Sequence, residues 1–399
     1  MGPPEGTGRG TSRRGPPVGL GPRSGRSRAA RPFVDSIVRR GGPSHGVSRP
    51  VASASRRPGT YAARDPAARG GFRMTPAPIA LAPDETEAVL AGALHELEGY
   101  DAKLETWTSD TQFTEYGKRR VVRFDLQAEV GGIPQHRRYQ WLGKFYDRDE
   151  DARRVAAVLQ QVASSDGGKK AGVAVPSVLG YHARRRLLLL TYEPGEAVTY
   201  ALARDREAIL TAIGRTLATL HGLPIAPNRI HSPNLVLEDL RPRVGDLCRR
   251  FPTEAKSLRS ALRALERDAA SVASPTFVHG DFGPANLLWR DGRIVVLDFD
   301  KCARGDPAFD LGNLFAQLFR MSIKKPKNIP DLAIALTTVL DAYRRSSRPD
   351  PELEARVAWY ERATLLRKIH GLIFSKNRSQ EPEAVQQRHT EAVQLLRLA

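Results

Sequence analysis

Three polar residues around a predicted β-hairpin have the types and the spacing that catalysis would require. Asp281 and Asn286 lie in the segment HGDFGPAN, and two apolar runs follow it. The dipeptide Asp291-Gly292 separates these runs, which is a strong short-range signal for a hairpin. Asp298 follows the second run, so the hairpin can return it to the side of Asp281 and Asn286.

This set of side chains suits phosphoryl transfer. A carboxylate can orient an attacking hydroxyl and accept its proton, while an amide oxygen and a second carboxylate can hold Mg²⁺ against phosphate groups. Mg²⁺ prefers hard oxygen ligands and keeps several waters, so two or three protein ligands suffice. The alternative is a surface hairpin with solvated acids at its ends. We favour phosphoryl transfer because the spaced polar residues and the hairpin agree.

The segment resembles the active centre of the aminoglycoside phosphotransferase and choline kinase-like family. The pattern HGDxxxxN, an apolar strand, and then Asp-Phe-Asp matches that family, as does the segment RGDPAFDL that follows. Weaker matches extend the resemblance from about residue 115 to 320. The resemblance implies a bilobal, protein-kinase-like α+β fold, with a small antiparallel-sheet N-lobe and a mainly helical C-lobe. It also implies transfer of the γ-phosphate of ATP to a hydroxyl, with Asp281 as catalytic base and Asn286 and Asp298 as Mg²⁺ ligands.

Residues 77–194 have the element order expected of such an N-lobe. A helix is predicted from an N-cap at Asp84, with Glu87 as its capping-box partner, to Gly99. Strand-like runs follow at Lys103–Trp107, Val121–Val130, Arg138–Tyr146, Ser177–Tyr181 and Leu187–Tyr192.

Lys144 lies in the third strand-like run, where a kinase-like fold places a lysine that holds nucleotide phosphates. A helix is predicted next, with a capping box formed by Asp147 and Glu150. Kinase-like proteins often pair the strand lysine with an acid on this helix. Here the helix interior has Arg153 and Arg154, and the only acids near its start are Asp149, Glu150 and Asp151. The alternative for Lys144 is a solvent-exposed residue on an edge strand.

The segment EPGE, which begins at Glu193, follows the last strand of the predicted sheet. The resemblance makes it the hinge that contacts the adenine of ATP, so Glu193 and Lys144 are the predicted nucleotide-binding residues. An ordinary linker has the same composition, and that alternative stays open. The phosphate-covering turn is expected within residues 108–117, which contain a single glycine, and no Walker A sequence occurs in the chain.

Residues 195–399 have the period of helices, as expected of a C-lobe. An apolar stripe ends at His221-Gly222, and Asp310 is predicted to be the N-cap of a later helix. Further helices are predicted at about 254–272, 331–345, 351–374 and 381–397. In the family that this chain resembles, the C-terminal helices build the acceptor pocket. Here they carry mixed charges without a dense acidic pocket, so a neutral or anionic hydroxylated acceptor fits better than a polycationic aminoglycoside.

The charge of the chain is unevenly distributed. The formal net charge is +18, and residues 1–75 contribute +12 of it, because they contain 15 Arg, no Lys and 3 acids. Residues 1–76 are rich in Gly, Pro, Arg and Ser and have no apolar period, so we predict that they are disordered. They could be a basic arm, a transit peptide, or translated upstream sequence before a start at Met74. We favour the third interpretation because organised sequence begins only after Met74.

Other features of the sequence limit the functions that we consider. Cys248 and Cys302 cannot form a disulfide framework, and neither lies in a zinc-binding pattern, which suits a cytoplasmic protein. No apolar run has the length of a membrane span, and no groove-reading motif for nucleic acid occurs. We therefore expect a small-molecule hydroxyl acceptor, no specific nucleic acid, no membrane and no obligate protein partner. The principal alternative is a catalytically silent nucleotide-binding scaffold on the same fold, and a nucleic-acid-binding protein that uses the basic tail is a third.

Overall fold

The computed structural model describes most of the chain beyond its N-terminal fifth. The chain divides into two units, residues 1–71 and residues 72–399, and every element below belongs to the second. The predicted disordered segment at residues 1–76 lies outside the described residues, as do residues 111–117 of the expected phosphate-covering turn. The described residues are Gly2, 82–110, 120–131, 133–165, 173–268, 274–375 and 381–398.

The N-lobe is built on a five-stranded antiparallel sheet. Its strands are β1 (Lys103–Asp110), β2 (Arg120–Val130), β3 (Ile133–Phe145), β4 (Val178–His182) and β5 (Leu187–Thr191). Their order in the sheet is β1-β2-β3-β5-β4, so β3 is a central strand. Lys144 therefore lies on a central strand and not on an edge strand. All five predicted strands are confirmed, because their alternating or continuous apolar residues fill the core beneath the sheet.

Two helices flank this sheet, and both begin differently from the prediction. Helix α1 (Pro83–Glu98) has Ala82 as its N-cap, and helix α2 (Asp149–Ser164) has Arg148. Neither N-cap makes a side-chain hydrogen bond, so the predicted caps at Asp84 and Asp147 are wrong. In α1 the first helical residue is Pro83, whose fixed φ suits a helix and whose missing N–H would have no helical partner at that position. The acids of each first turn instead lie next to the positive end of the helix dipole.

The C-lobe is mainly helical. Its helices are α3 (Val198–Ala201), α4 (Arg206–His221), α5 (Pro233–Arg250), α6 (Ala255–Arg267), α7 (Ala308–Lys324), α8 (Leu332–Ser346), α9 (Leu353–Phe374) and α10 (Pro382–Leu398). The sequence prediction missed α5, whose interior contains Pro242. Helix α4 packs against α8, and α7 packs against α9. A Cβ atom at Gly312 of α7 would lie 2.6 Å from Cβ of Tyr360, so glycine allows the close approach of α7 and α9. No helix of the described part of the chain is both long and apolar enough to cross a bilayer.

Short strands of the C-lobe carry the predicted hairpin. Strand β8 (Leu287–Arg290) pairs with β9 (Arg293–Val296), and β6 (Glu196–Ala197) joins the other side of β8. The turn residues Asp291 and Gly292 have φ values of 50° and 76°, as a tight hairpin turn requires. Strands β7 (Thr276–Val278) and β10 (Ala303–Gly305) form a separate antiparallel pair. The polar segment that contains Asp281 and Asn286 therefore connects β7 to β8.

Candidate active site

The loop between β7 and β8 is fixed by its own histidine. His279 is fully buried, and its Nε2 lies 2.9 Å from the carbonyl oxygen of Leu297. Its Nδ1 accepts a hydrogen bond of 3.3 Å from the backbone N–H of Asp281. Nε2 must therefore carry the proton and donate it to Leu297. His279 thus connects the loop to the segment after β9, and its contacts are structural.

Asp310 anchors the same loop from helix α7. Its Oδ2 accepts from the backbone N–H of His279 at 2.7 Å, and its Oδ1 accepts from that of Gly280 at 2.9 Å. The ring of His221 is 3.2 Å from Oδ2. Burial alone raises the pKa of the Asp310 carboxyl, but the hydrogen bond and charge of His221 and the contacts with His279 outweigh burial and hold it below its usual range. Asp310 is therefore a buried carboxylate that holds two backbone amides.

These contacts correct the predicted role of Asp310 as a helix N-cap. Helix α7 begins at Ala308, and Asp310 lies in its first turn with its carboxylate on the loop. The N-cap position is Pro307, and Asp306, just before it, accepts on Oδ1 from the N–H of Ala308 at 3.0 Å. Asp306 also forms an ion pair of 2.9 Å with the buried Arg356 of α9. The sequence reasoning placed the cap three residues too late, because Asp310 as well as Asp306 precedes apolar helical residues.

Asp281 presents a charged carboxylate at the end of this loop. The backbone turns there through Gly280, which has φ of 83° and where a Cβ atom would collide with the carbonyl oxygen of Lys301. The Asp281 side chain is 22% exposed, and its Oδ2 accepts from Lys301 Nζ at 2.6 Å. Burial raises the pKa of Asp281, but the charges of Lys301 and Lys368 and the Lys301 hydrogen bond lower it more. The group is therefore ionised at neutral pH and can accept a proton from a bound hydroxyl.

Asn286 lies at the other end of the loop, beside the segment that carries Asp298. Its side-chain N–H donates to the carbonyl oxygen of Asp281 at 3.0 Å, which leaves the amide oxygen of the side chain to face away from that bond. The backbone carbonyl of Asn286 accepts from the N–H of Leu297 at 2.9 Å. The structure thus brings Asn286 next to the residue that precedes Asp298. Asn286 and Asp298 therefore lie on neighbouring segments of the backbone.

Lys144 contacts both acids that follow β9. Its Nζ lies 2.8 Å from Oδ1 of Asp298 and 3.2 Å from Oδ2 of Asp300. Burial lowers the pKa of the ammonium, but the charges of Asp300 and Asp298 and hydrogen bonds to both raise it above its usual value. Asp300 also accepts from the hydroxyl of Tyr146 at 2.7 Å. The nucleotide-binding candidate Lys144 and the metal candidate Asp298 are therefore parts of one cluster.

The two acids differ in exposure. The side chain of Asp298 is 39% exposed, whereas that of Asp300 is 2% exposed and is held by Lys144 and Tyr146. Burial raises the pKa of Asp298, Lys144 lowers it, and the charge of Asp300 raises it, with a net upward shift. Both side chains reach Lys144 although the segment that carries them is not an extended strand. Asp298 has a left-handed backbone with φ of 60°, and Asp300 lies in the 3₁₀ turn Phe299–Lys301. Asp298 is therefore the acid of this cluster that is more accessible to a further cation.

Helix α2 contributes a cation to this cluster in place of the expected acid. Asp149 contacts Tyr181 and Arg153, and Asp151 pairs with Arg154 at 2.8 Å. Arg154 also donates to the backbone carbonyl of Asp300 at 3.0 Å. Acids at the start of α2 are thus engaged with residues other than Lys144. The partners of Lys144 come from the segment after β9.

Glu193 lies after β5, at the predicted hinge. Its Oε1 accepts from the hydroxyl of Thr191 at 2.6 Å, and its Oε2 pairs with Arg290 of β8 at 2.8 Å. The side chain therefore ties the end of the N-lobe sheet to the hairpin that follows the loop. Both carboxylate oxygens of Glu193 are therefore engaged by residues of the protein itself.

Comparison with known proteins identifies the family of this chain. The sequence model of the phosphotransferase enzyme family (APH) matches residues 107–326, which is more than half of the chain. The chain belongs to this family. No curated protein matches its sequence.

Solved structures of two aminoglycoside phosphotransferases and a choline kinase align with most of this chain. The GDP complex of wild-type aminoglycoside 2'-phosphotransferase-IIIa has a TM-score of 0.51 and 13% identity, over 77% of this chain and 97% of that chain. The choline kinase LicA from Streptococcus pneumoniae has a TM-score of 0.47 and 12% identity, over 79% and 99%. A thermostable mutant of aminoglycoside phosphotransferase APH(4)-Ia, in a ternary complex with ADP and hygromycin B, has a TM-score of 0.49 and 16% identity, over 77% and 98%. The first of these likenesses shows that the predicted bilobal kinase-like fold is correct.

Several residues of this phosphotransferase-family site had no clear sequence signal. Tyr146, Lys301 and Lys368 contact or influence the acids of the site, although none was predicted. Tyr146 and Lys301 each adjoin a predicted site segment, so proximity along the chain was a usable signal. Lys368 lies on α9, almost 90 residues from Asp281, and no local pattern marks it. Only the packing of the C-terminal helices brings it near the loop.

Proposed function

We propose that this member of the phosphotransferase enzyme family transfers the γ-phosphate of ATP to a hydroxyl of a small molecule in the presence of Mg²⁺. The observation that carries the proposal is the loop fixed by Asp310, which presents the ionised Asp281 while its far end adjoins the Lys144–Asp298 ion pair. A proton acceptor and a phosphate-binding cation are thereby parts of one site. Such an arrangement serves a reaction whose catalysis is mainly positioning and electrostatic stabilisation.

Asp281 is the proposed catalytic base. Its carboxylate would accept a hydrogen bond from the acceptor hydroxyl and take the proton as the new oxygen–phosphorus bond forms. Lys301 holds Oδ2 of Asp281 at 2.6 Å, which fixes the orientation of the carboxylate and keeps it ionised. The anchor from Asp310 to the backbone of His279 and Gly280 keeps the loop in register.

Asn286 and Asp298 are the residues that would hold Mg²⁺. Their fit is chemical, because an amide oxygen directed away from the Asp281 carbonyl and a 39%-exposed carboxylate are hard ligands of the kind that Mg²⁺ takes. When bound, Mg²⁺ neutralises charge on the phosphate oxygens. Asp300 fits less well, because its carboxylate is buried and occupied by Lys144 and Tyr146.

Lys144 is proposed to exchange partners when nucleotide binds. It has a raised pKa and remains charged, so phosphate oxygens can compete with Asp298 for its ammonium. The segment that contains Glu193 is the proposed hinge, with backbone groups that face the base of the nucleotide.

A nucleotide-binding and turnover assay tests this function. Binding of ATP and GTP is measured by calorimetry with and without Mg²⁺, and then phosphate transfer is screened over sugars, amino alcohols and antibiotics. We expect Mg²⁺-dependent ATP binding and transfer to at least one hydroxyl compound. Binding without any transfer or slow hydrolysis would favour the silent scaffold, and a preference for GTP would correct the donor. Absence of binding to either nucleotide would overturn the proposal.

A further inference from the structure

Cations gather around the proposed base. Lys301 binds the carboxylate of Asp281 directly, at 2.6 Å. Arg367 and Lys368 are consecutive residues of α9, which packs against α7, and both interact electrostatically with Asp281. The side of the site that must receive an acceptor hydroxyl is therefore positively charged.

Two of these cations make no direct ion pair within the described residues, although Asp281 acts on both through space and Asp239 acts on Arg367. Arg367 and Lys368 are only partly exposed, and neither makes a hydrogen bond or an ion pair with any residue in the described ranges. Arg367 lies over the ring of Phe309, at 5.9 Å from its centroid. Comparable half-buried cations of this protein, such as Lys144 and Arg320, pair with carboxylates. Unpaired charge in a half-buried position is costly, and a bound anion would offset that cost.

A cavity of about 180 Å³ lies next to the same loop. The loop contributes Pro284 and Ala285 to its wall, and helix α7 and the residue after it contribute Arg320, Lys324 and Lys325. No carboxylate lines this cavity. Arg320 and Lys324 of this wall pair with Glu391, and Lys368 interacts electrostatically with Arg320, so the wall lies near Lys368 but most of its charge is already paired.

We propose that the acceptor is an anionic alcohol, which carries a carboxylate or phosphate group that Lys368 and Arg367 bind while its hydroxyl faces Asp281. This inference rests on the proposed function and names the substrate class of that site. In the reaction, the hydroxyl oxygen forms a bond to the γ-phosphorus and the bond from that phosphorus to the β–γ bridging oxygen breaks. The hydroxyl proton passes to Asp281, and ADP leaves. A polycationic acceptor would be repelled by the same surface.

The first experiment compares acceptors that share one ring and differ in charge. Transfer from γ-labelled ATP by the full chain is measured with D-glucose, D-glucosamine, D-glucuronate and D-glucose 6-phosphate. We expect the two anions to exceed glucose, and glucosamine to be the poorest. The carboxylate and the phosphate members distinguish which acid group the site takes. Preference for glucosamine or for neutral glucose would overturn the inference and leave the proposed function intact.

The second experiment measures anion binding without turnover. Inorganic phosphate and D-glucuronate are titrated by calorimetry into the full chain saturated with Mg²⁺ and a non-hydrolysable ATP analogue, which occupies the γ-phosphate position. Lys368→Met should raise the Kd for the anion that binds by about tenfold, as expected for loss of one charge-assisted contact. Lys368→Arg should retain binding. Arg362→Met is the matched control, because Arg362 is exposed on the same helix and should leave binding unchanged.

The two experiments separate failure of the inference from failure of the proposed function. If the Lys368→Met protein binds both anions as wild type does, or if neither anion binds wild type, the anion subsite is absent. If Lys368→Met changes the KM for ATP and not the affinity for the anion, the lysine serves the nucleotide and the inference is wrong. Loss of ATP binding by wild type itself would instead overturn the proposed function, while titration of the nucleotide-free chain would still measure anion binding.

Discussion

Lys144 and Asp298 lie 154 positions apart in the chain and form an ion pair of 2.8 Å. The pair joins a central strand of the N-lobe sheet to the segment after the hairpin of β8 and β9. It also brings a phosphate-binding candidate and a metal-binding candidate together before any nucleotide is present.

Asp281→Asn should abolish most turnover without loss of binding. The substitution keeps the shape of the side chain and removes its charge, so transfer should fall by about 10²–10⁴-fold, the usual contribution of a general base. Affinity for ATP with Mg²⁺ should stay within about threefold. Single-turnover transfer, or slow ATP hydrolysis before an acceptor is known, measures the effect. Asp341→Asn, at an exposed acid of α8, is the control. Near-normal transfer by Asp281→Asn would show that another group is the base.

Asp298→Asn and Asp300→Asn should have different effects. Asp298 is the more exposed acid, so its substitution should weaken Mg²⁺-dependent nucleotide binding and change stability little. Asp300 is buried and accepts from Lys144 and Tyr146, so its substitution should lower the melting temperature. Nucleotide titrations at several Mg²⁺ concentrations and thermal unfolding separate the two. If only Asp300→Asn lost the dependence on Mg²⁺, the metal ligand would be Asp300.

Lys144→Met should weaken ATP binding by tenfold or more. The ammonium is the proposed contact for phosphate oxygens, and without it two carboxylates face each other in a partly buried site. We therefore also expect a lower melting temperature. The decrease in melting temperature should be smaller at low pH, where one of the two acids can become neutral. Calorimetric titration with ATP measures the first effect. Lys256→Met, at an exposed lysine of α6, is the comparison, and equal ATP affinities in the two variants would count against the role of Lys144.

Asp310→Asn should destabilise the protein in a pH-dependent manner. The folded pKa of Asp310 lies below its ordinary value of 3.8, so its carboxylate stabilises the fold fully above about pH 4. That contribution is lost as the pH falls through the lowered folded pKa. The substitution leaves one buried backbone N–H facing an amide donor, which costs about 1–3 kcal/mol at neutral pH. Unfolding from pH 2 to 7 should show the wild-type and Asp310→Asn curves converging at low pH. A constant difference over that range would contradict this account.

The use of an anionic acceptor should weaken above pH 8. Burial lowers the pKa of Lys368, Asp281 raises it, and the charges of Arg367, Lys301 and Arg320 lower it, with a net pKa of about 8. Lys368 is thus charged below that value and loses its charge as the pH rises through it. The KM for an anionic acceptor should therefore rise between pH 7 and 9.5. Lys368→Arg keeps its charge and should show a flatter profile, so identical profiles for the two proteins would exclude titration of Lys368 as the cause.

Local patterns were sufficient to predict the hairpin and the strands. Alternating or continuous apolar residues identify β1 to β5, and the Asp291-Gly292 turn fixes the register of β8 and β9. Both signals act over two to ten neighbouring residues, and a sequence displays them directly. The order HGDxxxxN followed by Asp-Phe-Asp also placed the candidate acids at the ends of that hairpin.

Caps were harder to predict because several acids near a helix start compete for the same role. Asp306 and Asp310 are four residues apart, and only the folded chain shows that the first accepts from the first N–H of α7 while the second binds the loop. The choice depends on which backbone N–H groups come within reach after α7 packs. A sequence pattern does not contain that distance.

Residue types and their spacing along the chain determined the fold family and the acids that could carry phosphoryl transfer. Tertiary structure alone decided that Lys144 pairs with Asp298 and Asp300, that Arg154 of α2 supports the same cluster, and that Lys368 charges the acceptor side. The physical reason is range. Secondary structure follows from neighbouring residues, whereas the partner of a buried charge is set by the packing of elements that lie more than a hundred residues apart.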